Sequence, residues 1–345
     1  MRKILALLLL SLFPVLSFAQ LRLVRENRQV SMNDAVPKGN YSGIAHIDST
    51  LYAVVSDKSD IDGFYLFDIV TDSLTGEVTA VYNRGFRGDS TLAGGDCEAI
   101  VYLAPSNTFL VAREADNRVV EFDIDGKLTG RELKVPDMFR YSGNGNARGN
   151  YGFESLAADE ATGLIWTVTE STLSSDGLAA TSVNGIKNRL RLQSYGYSSF
   201  QPIAQYAYLM DAPTANADSR NYAMGVSELT ALPDGRLLVL EREFFVARNY
   251  LGSYVVNKIY EVNPSDGTPV SASEPLNADS PYLAKRLVCE FETKLSLVSR
   301  SIANYEGMCL GQILADGTRS IVLVSDSQNR YRGVLRDWVK TIVVE

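Results

Sequence analysis

A four-residue pattern recurs five times along this 345-residue chain. It reads Ser42-Gly43-Ile44-Ala45, Cys97-Glu98-Ala99-Ile100, Phe153-Glu154-Ser155-Leu156, Ser227-Glu228-Leu229-Thr230 and Tyr305-Glu306-Gly307-Met308. Glutamate holds the second position in four copies and Gly43 holds it in the first. A turn and a second apolar run follow each copy, at 51–55, 109–112, 164–168, 236–240 and 321–324. Four of these runs lead into an acid: Asp57, Glu114, Glu170 and Asp326. The fourth run departs, ending at Glu241-Arg242-Glu243. Self-similarity over tens of residues marks a repeat architecture. In such a fold, length adds repeats rather than domains.

The runs are strand-like, with Gly, Asn, Asp and Pro between them. They fall into groups of four: 42–47, 51–56, 63–71 and 77–83; 97–103, 108–113, 118–124 and 128–135; 153–158, 164–169, 188–195 and 202–209; 226–232, 236–241, 257–262 and 284–291. The last group has three, at 306–314, 320–325 and 338–344, and an N-terminal run at 21–31 supplies the fourth. These groups predict an all-β propeller of five four-stranded blades, closed by the N-terminal strand in the last blade. A sixth blade is the alternative if a long insertion folds into one. No segment has a convincing helical period, and residues 293–303 are the best candidate for a short helix. Steps between copies lengthen from 55 to 78 residues, so the later blades carry insertions. Long loops at 138–150, 171–187, 211–224, 250–256 and 263–282 are expected to be functional or mobile.

Residues 1–20 read as a secretory signal: Arg2 and Lys3, an apolar run at 4–12, and Ser17-Phe18-Ala19 ahead of Gln20. Cleavage near Ala19/Gln20 would leave one domain, 21–345, in the periplasm or medium. An uncleaved anchor is disfavoured because the apolar run is short for a span. Losing Arg2 and Lys3 takes the formal charge from −8 to −10. That field disfavours nucleic acid and anionic membranes and suits cations. Cys97, Cys289 and Cys309 are too few for a disulfide framework. A Cys97–Cys309 bridge is conceivable, but buried thiols are the preferred reading. The chain is expected to be a monomer.

In a propeller, first strands line the axis, so equivalent positions face one another across it. Glu98, Glu154, Glu228 and Glu306 are therefore the candidates for a central site. Asp57, Glu114, Glu170 and Asp326 are expected on a nearby rim. Converging carboxylates repel unless protonated or neutralised by cations. An all-oxygen donor set suits Ca²⁺, with Mg²⁺ or Mn²⁺ as alternatives. The competing reading is a structural lattice of these acids with Arg87, Arg113, Arg148, Arg242 and Arg300. His46 is the single histidine, which disfavours histidine-nucleophile, zinc and Ser-His-Asp chemistry. The glycine-rich stretches match no phosphate loop and read as turns. Carboxylates, arginines and a cation would support metal-assisted hydrolysis of a small anionic or phosphorylated substrate, with Arg242 holding the anion. The same set fits lactone hydrolysis or ligand binding without turnover.

At these residues the chain resembles the phytase-like family, described as having esterase-like activity of phytase. The segments that carry the likeness are Gly95-Asp96-Cys97-Glu98-Ala99-Ile100, Tyr151-Gly152-Phe153-Glu154-Ser155-Leu156, Leu237 to Glu243 and Asn304-Tyr305-Glu306-Gly307-Met308. Ser42-Gly43-Ile44, Val54-Val55-Ser56-Asp57 and Leu323-Val324-Ser325-Asp326 fit as well. The resemblance spans residues 42–329. It implies an exported propeller with calcium-dependent phosphate-ester hydrolysis. Gly43 departs from the glutamate pattern, which would leave a carboxylate ring open on one side.

Overall fold

The repeated segments form five sheets in the computed structural model, which describes residues 20–345. The signal segment falls outside these residues, apart from Gln20. Two short N-terminal strands, β1 (Leu23–Glu26) and β2 (Val30–Ser31), precede the first blade. That blade is β3 (Tyr41–Asp48), β4 (Leu51–Ser56), β5 (Ile61–Thr71) and β6 (Val78–Ala93). The second is β7 (Cys97–Leu103), β8 (Thr108–Arg113), β9 (Arg118–Asp123) and β10 (Leu128–Glu132). The third is β11 (Ala157–Asp159), β12 (Leu164–Thr167), β13 (Arg189–Gly196) and β14 (Pro202–Leu209). The fourth is β15 (Asn221–Ala231), β16 (Leu237–Val246), β17 (Tyr254–Val262) and β18 (Lys285–Lys294). The fifth is β19 (Asn304–Ile313), β20 (Arg319–Asp326) and β21 (Trp338–Val344), completed by β1 and β2, both antiparallel to β21. The ring has five blades, and no insertion makes a sixth.

The core lies between blades. Each of five apolar clusters joins one blade to the next, as where Trp166 and Leu192 meet Val226 and Val239, or Leu240 and Ile259 meet Met308 and Leu323. Middle strands are covered on both faces, so they read as continuous apolar runs rather than alternating ones. β20 is buried from Ser320 to Asp326. Outer strands face water on one side; β10 is exposed along most of its length.

Two local expectations fail. Residues 293–303 form no helix: Lys294 ends β18, and a tight turn follows, with Leu295 bridged to Arg300. The inner strand expected at 153–158 is shorter. Phe153 makes one isolated bridge to Thr169, and regular pairing starts at Ala157. The insertions at 171–187 and 263–282 are held down by a buried pair. Asp176 takes both Nε and Nη2 of Arg191, at 2.7 and 2.8 Å, and the Leu276 N–H at 2.8 Å. Arg191 also reaches the Ser271 carbonyl at 3.0 Å. All three cysteines are buried and free.

Candidate functional site

Strand register decides which side chains face the axis. Gly43 faces Val55, Ala99 faces Ala112, Glu228 faces Leu240 and Gly307 faces Val324. These four positions are equivalent. Immediately before each, one extra residue bulges from the inner strand: Ser42, Glu98, Ser227 and Glu306. In the third blade the same single extra residue falls between Phe153 and Ala157, where Glu154 sits. A bulge re-aims the side chain it carries. The bulge tier around the axis is therefore Ser42, Glu98, Glu154, Ser227 and Glu306. The four-residue pattern misaligned the first and fourth copies by one residue, and a one-residue slip turns a side chain to the other face.

The end of each second strand supplies another tier. The backbone N–H groups of Asp57, Glu114 and Glu170 donate to Asn40, Asp96 and Gly152 at 2.9, 2.8 and 2.8 Å. Asp326 faces Asn304, and Arg242 faces Gly225. Arg242 thus stands where the other four blades place an acid. Glu241 and Glu243 belong elsewhere: Glu241 accepts from Tyr208 and Lys285, Glu243 from Thr214, Ala215 and Tyr222.

Seven carboxylates from four blades converge on these tiers, and one buried cation is set among them. Arg242 bonds Glu170 with one terminal nitrogen and Glu306 with the other. It also reaches the Asn304 side chain at 3.0 Å, and Glu154 lies 3.8 Å away. Asn304 donates to Glu306 at 2.8 Å. No Cβ would fit at Gly225, because Glu170 of the preceding blade occupies that space on its way to Arg242. Burial opposes the Arg242 charge, yet Glu306, Glu170, Glu154 and Asp326 outweigh it and raise its pKa. With 4% of its side chain exposed and its terminal nitrogens engaged, Arg242 is not free to grip an anion as the sequence suggested.

The acids split into two halves. Glu154, Glu170 and Glu306 surround Arg242. Asp57, Glu98 and Glu114 lie on the first and second blades, where the nearest cation is the exposed Lys58, 2.7 Å from Asp57. Glu98 is pushed well up by burial, then by Asp57, Glu306 and Glu114. Glu114 rises to about 7, chiefly by burial, although the Gly152 N–H at 3.1 Å opposes this. Asp57 is raised by burial, partly offset by Lys58. Asp326 is raised well by burial and by Glu306. Glu154, Glu170 and Glu306 are raised by burial against the pull of Arg242.

Glu228 stands apart. Its carboxylate accepts the Leu156 and Leu229 N–H groups, each at 3.0 Å, and its other oxygen has no partner. Burial raises its pKa, and none of the site acids contributes. It stands at the register position that Gly43, Ala99 and Gly307 hold in other blades, one residue past the bulge, and so does not join the ring. His46 lies further along β3, stacked on Tyr52 and bonded to the Ser49 carbonyl at 2.9 Å.

Four groups at the site were not legible as candidates. Ser42 was hidden by the misaligned repeat and Lys58 by its turn. Tyr141 and Tyr151 come from the Gly/Asn-rich connection. The Tyr141 hydroxyl is buried without a partner, and burial followed by Glu114, Glu154 and Glu98 raises its pKa. Of the candidate arginines, Arg113 pairs with Asp62 at 2.8 Å and Arg148 holds the carbonyls of Thr172 and Gly177. Only Arg242 joins acids of different blades at the axis. The donors are all oxygens, which suits a hard cation. Among the described residues, however, no three acidic, histidine or cysteine side chains stand together as a ready-made metal cage.

A family model described as "Phytase-like: Esterase-like activity of phytase" matches residues 36–328. No curated protein matches the chain. Among solved structures, a streptogramin B lyase is 12% identical, with TM-score 0.37, covering 92% of this chain and 98% of its own. A DUF4221 family member from Bacteroides vulgatus is 10% identical, with TM-score 0.41, over 94% and 98% of the two chains. A tail fibre of Staphylococcus aureus phage P68 is 11% identical, with TM-score 0.41, over 94% and 52%. At these scores they carry no functional argument.

Proposed function

The chain belongs to the phytase-like family, and from that premise we propose that it is an exported, cation-dependent hydrolase of phosphate esters. The observation that supports this most is the imbalance at the axis: seven inward acids against one buried arginine. A phosphate ester approaching such a field is repelled unless a divalent ion intervenes. Ca²⁺ is the proposed ion, and Asp57, Glu98 and Glu114 are the residues that would hold it, because Arg242 already serves the other half. When bound, such an ion polarises a phosphoryl oxygen and lowers the pKa of a water. Tyr141 supplies an O–H donor, and Lys58 a cation at the rim. Glu154 and Glu306 are held by Arg242 in fixed positions around the same mouth.

Calorimetric titration of the purified protein with Ca²⁺ tests the ion, and a panel of phosphate esters and lactones tests turnover. Glu98→Gln should weaken Ca²⁺ binding about tenfold, the scale of one lost charged ligand. No heat and no thermal shift at millimolar Ca²⁺ would remove the metal. The saturation of Arg242 by acids favours one second reading, a non-catalytic binding propeller. Ligand binding without turnover across the panel would decide for it.

A further inference from the structure

Directly above the Arg242 half of the site, between the fourth and fifth blades, lies an apolar cleft of about 450 Å³. That volume falls in the range of small-molecule sites. Its wall is Phe244, Val246, Leu295, Ile302, Val334 and Leu335. Tyr250 and Tyr331 edge it, with their hydroxyls 3.4 Å apart. Arg220 and Arg332 place their guanidiniums 4.8 and 5.4 Å from the Tyr250 ring centre. No aspartate or glutamate lines the cleft. Among the described residues, no ion pair engages either arginine. The Tyr331 hydroxyl and then the two arginines hold the Tyr250 phenol below its usual range, consistent with a positive field.

The loop that carries Arg332 is built rather than slack. Gln328, Asn329, Arg330 and Arg332 all have positive φ, between 47° and 58°. Non-glycine residues hold this conformation at a cost, so the surroundings must impose it. Arg330 clamps the loop to Asp337 at 2.6 Å and to the Val36 carbonyl at 2.9 Å. Chain continuity joins the cleft to the site below. Phe244, Ile302 and Gln328 each lie two residues above Arg242, Asn304 and Asp326 on the same three segments. Along β16 the step from Arg242 to Phe244 spans roughly 7 Å.

We propose that this cleft binds a small aromatic anion, a planar ring carrying a carboxylate or phosphate. The ring packs on the apolar wall beside Tyr250, and the anionic group meets Arg220 and Arg332. Guanidiniums recognise such groups in a forked geometry. The consequence for substrate choice, that ring-bearing esters are preferred, rests on the hydrolase reading. Binding itself does not.

The test is calorimetry with 2-naphthoate on the intact protein, with acetate and 2-naphthalenemethanol as controls. Saturable binding of 2-naphthoate is expected, about tenfold tighter than the neutral alcohol, with none for acetate. Arg220→Ala with Arg332→Ala removes two exposed side chains and should leave the unfolding midpoint unchanged while weakening binding about tenfold. Val334→Trp should abolish it by filling the cleft. Absence of saturable binding, or equal affinity in the double variant, overturns the proposal. Naphthoate binding in a protein that hydrolyses no phosphate ester upholds the cleft and sinks the hydrolase. Turnover with no preference for naphthyl over methyl phosphate and no naphthoate binding does the reverse.

Discussion

Glu228 and Glu98 look alike in sequence and do different work in the fold. Glu98 sits on a bulge among acids, whereas Glu228 sits one register step later and accepts the Leu156 N–H of the adjacent blade together with the N–H of its own neighbour Leu229. Glu228→Ala would orphan two buried N–H groups. It should cost about 2–4 kcal/mol in urea unfolding and leave Ca²⁺ affinity unchanged. Glu98→Gln should do the opposite, relieving repulsion while weakening Ca²⁺. The raised acids also fix a pH trend. Glu114 carries its proton longer when folded than when unfolded, so the native state binds more protons between the ordinary glutamate range and about 7. Its contribution is fully present below the unfolded pKa and is lost as pH rises through that window. Metal-free protein should therefore melt lower at pH 8 than at pH 5. Glu114→Gln should flatten the profile by an amount on the order of 3 kcal/mol. A melting curve that rises from pH 5 to pH 8 would contradict this.

At the level of elements, the inner strands must approach closely enough to bring their bulges together. Gly43 makes this visible: a Cβ there would lie 2.8 Å from both the Ala99 Cα and the Glu98 carbonyl oxygen. Those atoms are backbone and cannot swing away. Gly43→Ala should destabilise by about 1–3 kcal/mol, as overpacking does, and should also perturb Glu98 and any Ca²⁺ heat. The glycine that seemed to break the glutamate pattern is therefore a packing requirement, and the bulge of that blade is Ser42 beside it, as Ser227 is in the fourth. The bulges themselves were not legible, because a single extra residue leaves the apolar periodicity of a fully buried strand unchanged. The third blade's inner strand was overread for the same reason, its run being apolar without being regularly paired.

Over the whole molecule, the ring depends on one long-range closure. The N-terminal segment pairs with β21 through Leu23↔Val344 and Val30↔Val339. Lys340 adds a bond to the Asn27 carbonyl at 2.6 Å. Removing residues 21–31 would uncover the length of β21 and leave an open sheet edge. The shortened chain should unfold several degrees lower and associate in gel filtration, and a monomer with the parental midpoint would show the closure to be dispensable. No helix among the described residues is long and apolar enough to cross a membrane.

The sequence alone pointed to five blades with a sixth left open, to the shared last blade and to a family resemblance. Each rests on local apolar runs repeated in order, and a repeat reports itself wherever it occurs. It also named all seven acids that meet at the axis, together with Glu228, which does not join them. Tertiary structure decided which of them meet, since that depends on one-residue bulges and on what the neighbouring blade places opposite. It turned Arg242 from an open anion clamp into the counter-charge of three glutamates, and it separated Glu228 from them. Side-chain identity is written along the chain, but the direction a side chain points is set by register with a partner strand.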